Sequence, residues 1–289
     1  MKYTLVKQVR DKPALRKDFF SLAQETFGLS FEDWFQNGFW TDRYIPYALT
    51  EENRVLSNAS VNIIDTVWRG REMRLIQIGT VMTRPEYRNR GLARRIIAEI
   101  LADWREKSEA VYLYANDAAL HFYPKCGFQP AAEYQYSRPV CPTPGDFAKL
   151  DMGQLSSRAL LARCYRASNP FSELPVRDQY GLVMFYCTGG LKDCVYYSKE
   201  YDTVCVAQAQ GNILLCYDLF GEPSARLETV LEKLAEPQIQ RVELGFTPTE
   251  KTGYHSRKIQ EEDTTLFVYA GIQKQFQQER VMMPLLFRA

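Results

Sequence analysis

One loop constrains this chain more than any of its elements. Arg84-Pro85-Glu86-Tyr87-Arg88-Asn89-Arg90-Gly91-Leu92-Ala93 lies between an apolar run, Leu75–Thr83, that reads as a strand and a segment, Leu92–Trp104, that reads as a helix. The helix is predicted by count. Apolar residues fall at 92, 93, 96, 97, 100, 101 and 104, and charges at 94, 95, 99 and 103, which is an i, i+4 stripe with a polar back. The first N–H groups of a helix have no acceptor inside it, and they sit at the positive end of its dipole. Such a terminus attracts an anion. Gly91 lets the backbone approach a ligand, Ala93 keeps the approach open, and Arg88, Arg90, Arg94 and Arg95 offer charge-assisted hydrogen bonds. A pyrophosphate is the natural occupant. Taken alone, RxxGxA suits a basic loop on a solvated helix end better than a ligand site.

A second motif follows. Val111–Tyr114 reads as a short strand, and Asp117–Tyr123 as a helical turn within Asn116-Asp117-Ala118-Ala119-Leu120-His121-Phe122-Tyr123-Pro124-Lys125-Cys126-Gly127-Phe128. In this order and on these elements, RxxGxA with FYxxxGF resembles the GNAT superfamily of N-acetyltransferases, which bind acetyl-coenzyme A. The likeness covers residues 75–128 closely and 1–140 in general layout.

The resemblance implies a mixed sheet, splayed between two adjacent parallel strands and flanked by helices, into which the pantetheine arm of the cofactor enters as strand addition. It assigns the backbone of Val81 and Thr83 to that arm, Arg88 through Ala93 to the pyrophosphate, with the N–H groups of Arg90, Gly91, Leu92 and Ala93 aimed at it and Asn89 and Arg94 as further donors, and Asn116 to another cofactor contact. Asn116 also suits a helix N-cap before Asp117. Tyr123 matches the tyrosine that serves as general acid toward the thiolate of coenzyme A, a role a phenol can fill near neutral pH; the other reading of Tyr123 is a core aromatic beside Phe122. His121 points away from Tyr123 on a helical turn and reads as a surface residue. No motif identifies the base. Glu32, Asp65, Glu72 and Glu133 are candidates, and in the enhanced-intracellular-survival branch of the superfamily the chain's own terminal carboxylate reaches the site. That branch is longer and has a third domain. Here the tail Met283-Pro284-Leu285-Leu286-Phe287-Arg288-Ala289 is apolar enough to dock, which makes the Ala289 carboxylate a further candidate.

Length and charge set the frame around these motifs. At ~150 residues per domain, 289 residues suggest two. Arg138-Pro139-Val140-Cys141-Pro142-Thr143-Pro144-Gly145 cannot continue a helix or a central strand. The expected division is therefore an acetyltransferase domain over 1–138, a linker over 139–146 and a second domain over 147–289. A net charge of +1 excludes a strongly basic surface that tracks nucleic acid. The longest uncharged run, Thr203–Tyr217, is too short for the ~18–20 apolar residues of a membrane span. The charged N-terminus argues against a secretory signal, so the cytoplasm is the expected location. Seven cysteines without CxxC spacing and two histidines make no zinc pattern, and no metal is expected; the cysteines read as small apolar fillers.

In the second half, Leu155–Arg166 reads as a helix, and Asp193–Ser198, Thr203–Gln208 and Asn212–Leu219 as strands. Ser224–Ala235 reads as a helix and Arg241–Gly245 as a strand. That order mirrors the first half, so a smaller, degenerate GNAT-like α/β domain is expected, with a sterol-carrier-like or unrelated accessory domain as the rival. Glu222 and Pro223 stand where the first half has Gly91 and Leu92. A negative charge and a missing N–H oppose pyrophosphate, so no cofactor is expected there.

The aromatics Trp34, Phe35, Phe39, Trp40, Tyr44 and Tyr47 suit either core or the wall of an acceptor cleft. The functional expectation is transfer of an acetyl group from acetyl-coenzyme A to a primary amine of a small molecule or peptide by direct attack in a ternary complex. The alternative is a non-catalytic acyl-coenzyme A-binding or scaffold protein. Transfer of another acyl group and an oligomeric state stay open.

Overall fold

A computed structural model of the chain describes residues 3–269 and 272–289. The first half contains β1 (Thr4–Lys7), α1 (Pro13–Phe27), α2 (Glu32–Gln36), β2 (Tyr44–Glu51), β3 (Arg54–Trp68), β4 (Arg71–Thr83), α3 (Leu92–Trp104), β5 (Ala110–Ala115), β6 (Gln129–Pro130) and β7 (Tyr134–Pro139). The second begins with β8 (Ala148–Lys149), α4 (Leu155–Tyr165), β9 (Val176–Arg177), α5 (Tyr180–Thr188), β10 (Val195–Ser198) and β11 (Thr203–Gln210). It continues with β12 (Ile213–Gly221), α6 (Leu227–Leu234), β13 (Arg241–Leu244), β14 (His255–Lys258), β15 (Thr265–Tyr269) and α7 (Gln273–Glu279).

These strands form two mixed sheets with the same pairing plan. In the first, ordered β1-β2-β3-β4-β5-β15-β6, the first four strands are antiparallel, β4 and β5 are parallel, and β15 runs antiparallel to β5. β9 adds to β3 through Asp65 and Thr66. In the second, ordered β14-β7-β13-β12-β11-β10-β8, β12 and β13 are the parallel pair and β7 runs antiparallel to β13. In each sheet a helix, α3 or α6, makes the crossover that a parallel pair requires. The sheets are not two successive lengths of chain. The strand beside β5 comes from the second half, and the strand beside β13 is β7. The proline-rich stretch departs from expectation at its start, because Arg138 and Pro139 end β7 and pair with Val242 and Arg241 inside the sheet; the rest, 140–147, has no regular structure and is strapped along the second sheet. Val140 N–H bonds Gln240 C=O at 3.0 Å, and the Asp146 carboxylate accepts from Lys199 and Glu200 N–H at 2.9 Å each.

The local causes are plain. Pro13 opens α1 at a position where a missing N–H costs nothing, and Gly28 ends it in the left-handed region at φ 69°. α3 buries Leu92, Ile96, Ile97, Ile100 and Leu101 against the outer face of the first sheet, with Ile76, Ile78, Val111 and Leu113. Each such side chain contributes roughly 1.5–3 kcal/mol. The inner face, with Leu75, Tyr112 and Leu266, shares a continuous core with α4, α5 and the second sheet. The aromatic group of the first half is core: Trp34, Trp40, Tyr44 and Tyr47 are all buried. α2 differs from expectation at its start. Phe31 holds the N-cap position, where the sequence Ser30-Phe31-Glu32-Asp33 suggests a cap at Ser30, and no side chain caps it. The turn expected over 117–123 divides into two 3-10 turns, Asp117–Ala119 and Tyr123–Cys126, with Pro124 at the start of the second. All seven cysteines are free, and five are buried. No helix among the described residues is long and apolar enough to cross a membrane.

Because β15 is the strand that pairs with that edge of β5, Phe267, which is 3% exposed, reports on the exchange of strands. Phe267→Ala is expected to cost about 3–5 kcal/mol in denaturant unfolding. It is expected to destabilise the first sheet even though the substitution lies in the second half.

Candidate active site

β4 and β5 pair from Leu75↔Ala110 to Ile78↔Leu113 and then part. The break coincides with a bulge. Ser60 faces Gly79 and Asn58 faces Met82, so two residues of β4 oppose one of β3, and Thr80 takes the left-handed region at φ 50°. Asn58 Nδ2 stabilises it by donating to Thr80 C=O at 3.0 Å. Past the bulge, Arg84 N–H bonds Leu56 C=O at 2.9 Å. Strand alternation then turns the backbone groups of Val81 and Thr83 toward the gap. The gap widens into a cleft of about 690 Å³.

The basic loop borders that cleft. After a 3-10 turn over Pro85–Tyr87, Asn89 and Gly91 both adopt positive φ, 61° and 74°. A Cβ on Gly91 would meet nothing within 4 Å, so the glycine is required for its backbone angle and not for space. The first intrahelical bond of α3 runs from Arg95 N–H to Gly91 C=O at 3.0 Å, which leaves the N–H groups of Leu92, Ala93 and Arg94 without helical acceptors. Arg88, Asn89, Gly91, Leu92, Ala93 and Arg94 all line the cleft. Arg90 is not on its wall. The side chain turns back to Glu86 C=O at 2.8 Å and lies over the Tyr87 ring.

On the β5 side, Asn116 and Tyr123 line the same cleft. Asn116 sits at the N-cap of its 3-10 turn but makes no capping bond. Tyr123 is clamped by Phe122, Phe128 and Phe267, and burial lifts its pKa to about 12, so it keeps its proton through the neutral range. His121 is exposed and Cys126 half-buried, its thiol pushed up by burial.

The end of the chain reaches the cleft from the second sheet. There β13 leaves β12 after Leu244, and the turn Leu285–Phe287 packs against the gap, with Leu285 N–H on Gly245 C=O at 2.7 Å. Arg288 then anchors the tail. It pairs with Glu133 at 3.1 Å and Glu261 at 3.0 Å and lies over the Tyr114 ring. Burial raises the Glu133 pKa, Arg288 opposes that rise, and Tyr114 OH and Met283 N–H donate to the same carboxylate at 3.0 and 2.7 Å. Ala289 arrives on the cleft wall with its C=O near Gln77 Nε2 at 3.4 Å. A Cβ on Gly79 would stand 2.8 Å from that oxygen, so only glycine admits the tail.

Of the acids considered for the base, Glu32, Asp65 and Glu72 lie off the cleft. Glu32 holds Gln36 at 2.6 Å, and Glu72 is exposed on the far part of β4. Burial pushes Asp65 upward, but Arg74 and Arg43 hold it below the usual carboxylate range. Glu133 stands behind Tyr114, itself on the cleft wall. Sequence reasoning missed Tyr114, the Gly79–Thr80 bulge and the Arg288–Glu133 anchor. A glycine inside a strand pattern is a bulge signal, whereas a contact between residues 155 apart has none.

Arg288→Met leaves Glu133 buried without its cation. It is expected to cost about 3–5 kcal/mol in thermal or denaturant melts, and Glu133→Leu with Arg288→Met together less than Arg288→Met alone.

Comparison with known proteins agrees with this geometry. Residues 12–131 match the model of an acetyltransferase (GNAT) domain. No curated protein matches the sequence significantly. Among solved structures, a conserved protein of unknown function from Enterococcus faecalis V583, a probable N-acyltransferase, superposes with a TM-score of 0.62 at 15% identity, over 92% of this chain and 72% of its own. Eis1 from Mycobacterium abscessus gives 0.55 at 15% identity over 92% and 73%. A GCN5-related N-acetyltransferase from Kribbella flavida gives 0.54 at 15% over 92% and 71%. At that identity the likeness is one of fold. With the match over residues 12–131, it gives the chain a GNAT-like fold.

Proposed function

We propose that the chain transfers an acetyl group from acetyl-coenzyme A to a primary amine of a small molecule or peptide. The observation that carries this reading is one cleft that combines the unpaired edges of β4 and β5, the free N–H rim of α3 and the Tyr123 phenol. An extended, amide-bearing arm ending in a pyrophosphate suits both halves of that cleft. Unpaired strand edges want amide partners, and the rim with Arg88 and Arg94 wants an anion. The N–H groups of Asn89 through Arg94 would hold the pyrophosphate, and the backbone of Val81 and Thr83 the arm. Asn116 adds a contact from the β5 side.

Bound there, acetyl-coenzyme A supplies a thioester whose carbonyl carbon takes the amine nitrogen, the C–N bond forming as C–S breaks and the electron pair leaves on sulfur. Tyr123 gives its proton to that sulfur. In a polypeptide that ends at Ala289, the terminal carboxylate takes the proton the amine loses; Arg288 and Gln77 position it. Seven free thiols suit a reducing compartment, and the cytoplasm is the proposed location.

Two substitutions test the reading. Ala93→Glu puts a carboxylate in the first turn of α3, where the helix dipole favours it and an anionic ligand does not tolerate it. The folded variant should keep its melting temperature and bind acetyl-coenzyme A about tenfold or more weakly by calorimetry. Tyr123→Phe should lower kcat about 10²-fold with little change in acetyl-coenzyme A affinity. Saturable binding without acceptor-stimulated thiol release would favour a non-catalytic acyl-coenzyme A-binding protein instead.

A further inference from the structure

We propose that the acceptor carries an aliphatic or aromatic group beside its amine and no second positive charge, and that Phe27 and Leu29 seat this group. The inference rests on the acetyl-transfer reading of the same cleft and names its substrate class.

Among the described residues only three large hydrophobic side chains are exposed: Phe27 at 45%, Leu29 at 36% and Leu155 at 78%. The first two stand on the cleft wall, one on each side of Gly28, at the turn that ends α1. Phe122 and Ala119 contribute apolar surface to the same cleft. An exposed Phe and Leu that share one cavity offer apolar area to a ligand that removes it from water.

Charge narrows the class further. No Asp or Glu side chain lines the cleft, and its charged side chains are Arg88 and Arg94. Four acids near the lining residues in sequence or contact are engaged elsewhere. Glu25 reaches Arg84 at 3.4 Å, Glu86 reaches Arg54 at 2.6 Å, and Glu32 reaches Gln36 at 2.6 Å. Glu51 accepts from Tyr87 OH at 3.5 Å. A polyamine would bring further ammonium groups that find no counter-charge among these side chains beyond the carboxylate that serves the reacting amine, which is a cost against it. A monoamine loses its one charge before it attacks, and leaves only its apolar group to be accommodated.

The test uses the full chain with saturating acetyl-coenzyme A and measures thiol release with phenethylamine and with spermidine. The proposal expects kcat/KM at least about tenfold higher for phenethylamine. Replacing Phe27 and Leu29 together by Ser should remove that preference while the acetyl-coenzyme A dissociation constant stays the same, and Leu155→Ser should leave it intact. Preference for spermidine overturns the proposal, as does no turnover of phenethylamine with acetyl-coenzyme A bound. So does a double variant that loses cofactor affinity in place of acceptor preference. If calorimetry finds no acetyl-coenzyme A binding, the acetyl-transfer reading falls and this proposal with it.

Discussion

The whole arrangement depends on a parallel strand pair that stops early. β4 and β5 hold together for four residues each, Leu75–Ile78 and Ala110–Leu113. Beyond that point β4 stays bonded to β3, so its position is fixed, yet among the described residues its other edge has no strand to bond. Backbone groups near a protein interior must find partners. An interrupted pair is therefore a standing demand for a ligand with amide character or for ordered water. The bulge at Thr80 enforces the interruption, because it shifts the β4 register exactly one residue where the strands part. α3 follows directly from the end of β4, which brings its unpaired N–H rim to the same opening.

The second sheet repeats this plan and disposes of it differently. Its parallel pair also ends after four residues, Ile213–Cys216 with Arg241–Leu244, but there the chain's own turn Leu285–Phe287 packs against the gap. The expected match of Gly221-Glu222-Pro223 with Arg90-Gly91-Leu92 does not hold, because Gly221 ends β12 and α6 opens only at Leu227, with Arg226 at the N-cap position that Gly91 has in α3. The tail that packs on one gap continues to the wall of the other, and exchanged strands β7 and β15 tie the sheets together. Coupling of this kind makes the second half part of the first half's site through Arg288, Glu133 and Tyr114.

Much of this was legible in the sequence where the signal is local. The α3 stripe and the strands on both sides of it, and the glycine and arginines of the loop, follow from periodicity and from the chemistry of a helix terminus. The strands β11 and β12 were legible as well. Helix α5 was not legible, because Gly181-Leu182-Val183-Met184-Phe185-Tyr186-Cys187 is apolar all round and buried, and so has no period to read. β15 and the Arg288 anchor were not legible either. Their partners lie about 150 residues away, and nothing local encodes such a distance. Arg90 shows the limit from the other side. Its place in the motif led to the expectation of a side-chain contact with an anion, whereas in the structure the side chain lies on the Glu86 carbonyl and the Tyr87 ring.

Amide hydrogen exchange with and without acetyl-coenzyme A tests the central claim most directly, since it reads the backbone groups on which the account rests. The account predicts that the ligand slows exchange at Val81, Thr83 and at Leu92 through Arg94, and leaves residues 219–226 of the second sheet unchanged. Equal protection at both loops, or saturable binding that leaves Val81 through Arg94 unchanged, would contradict it.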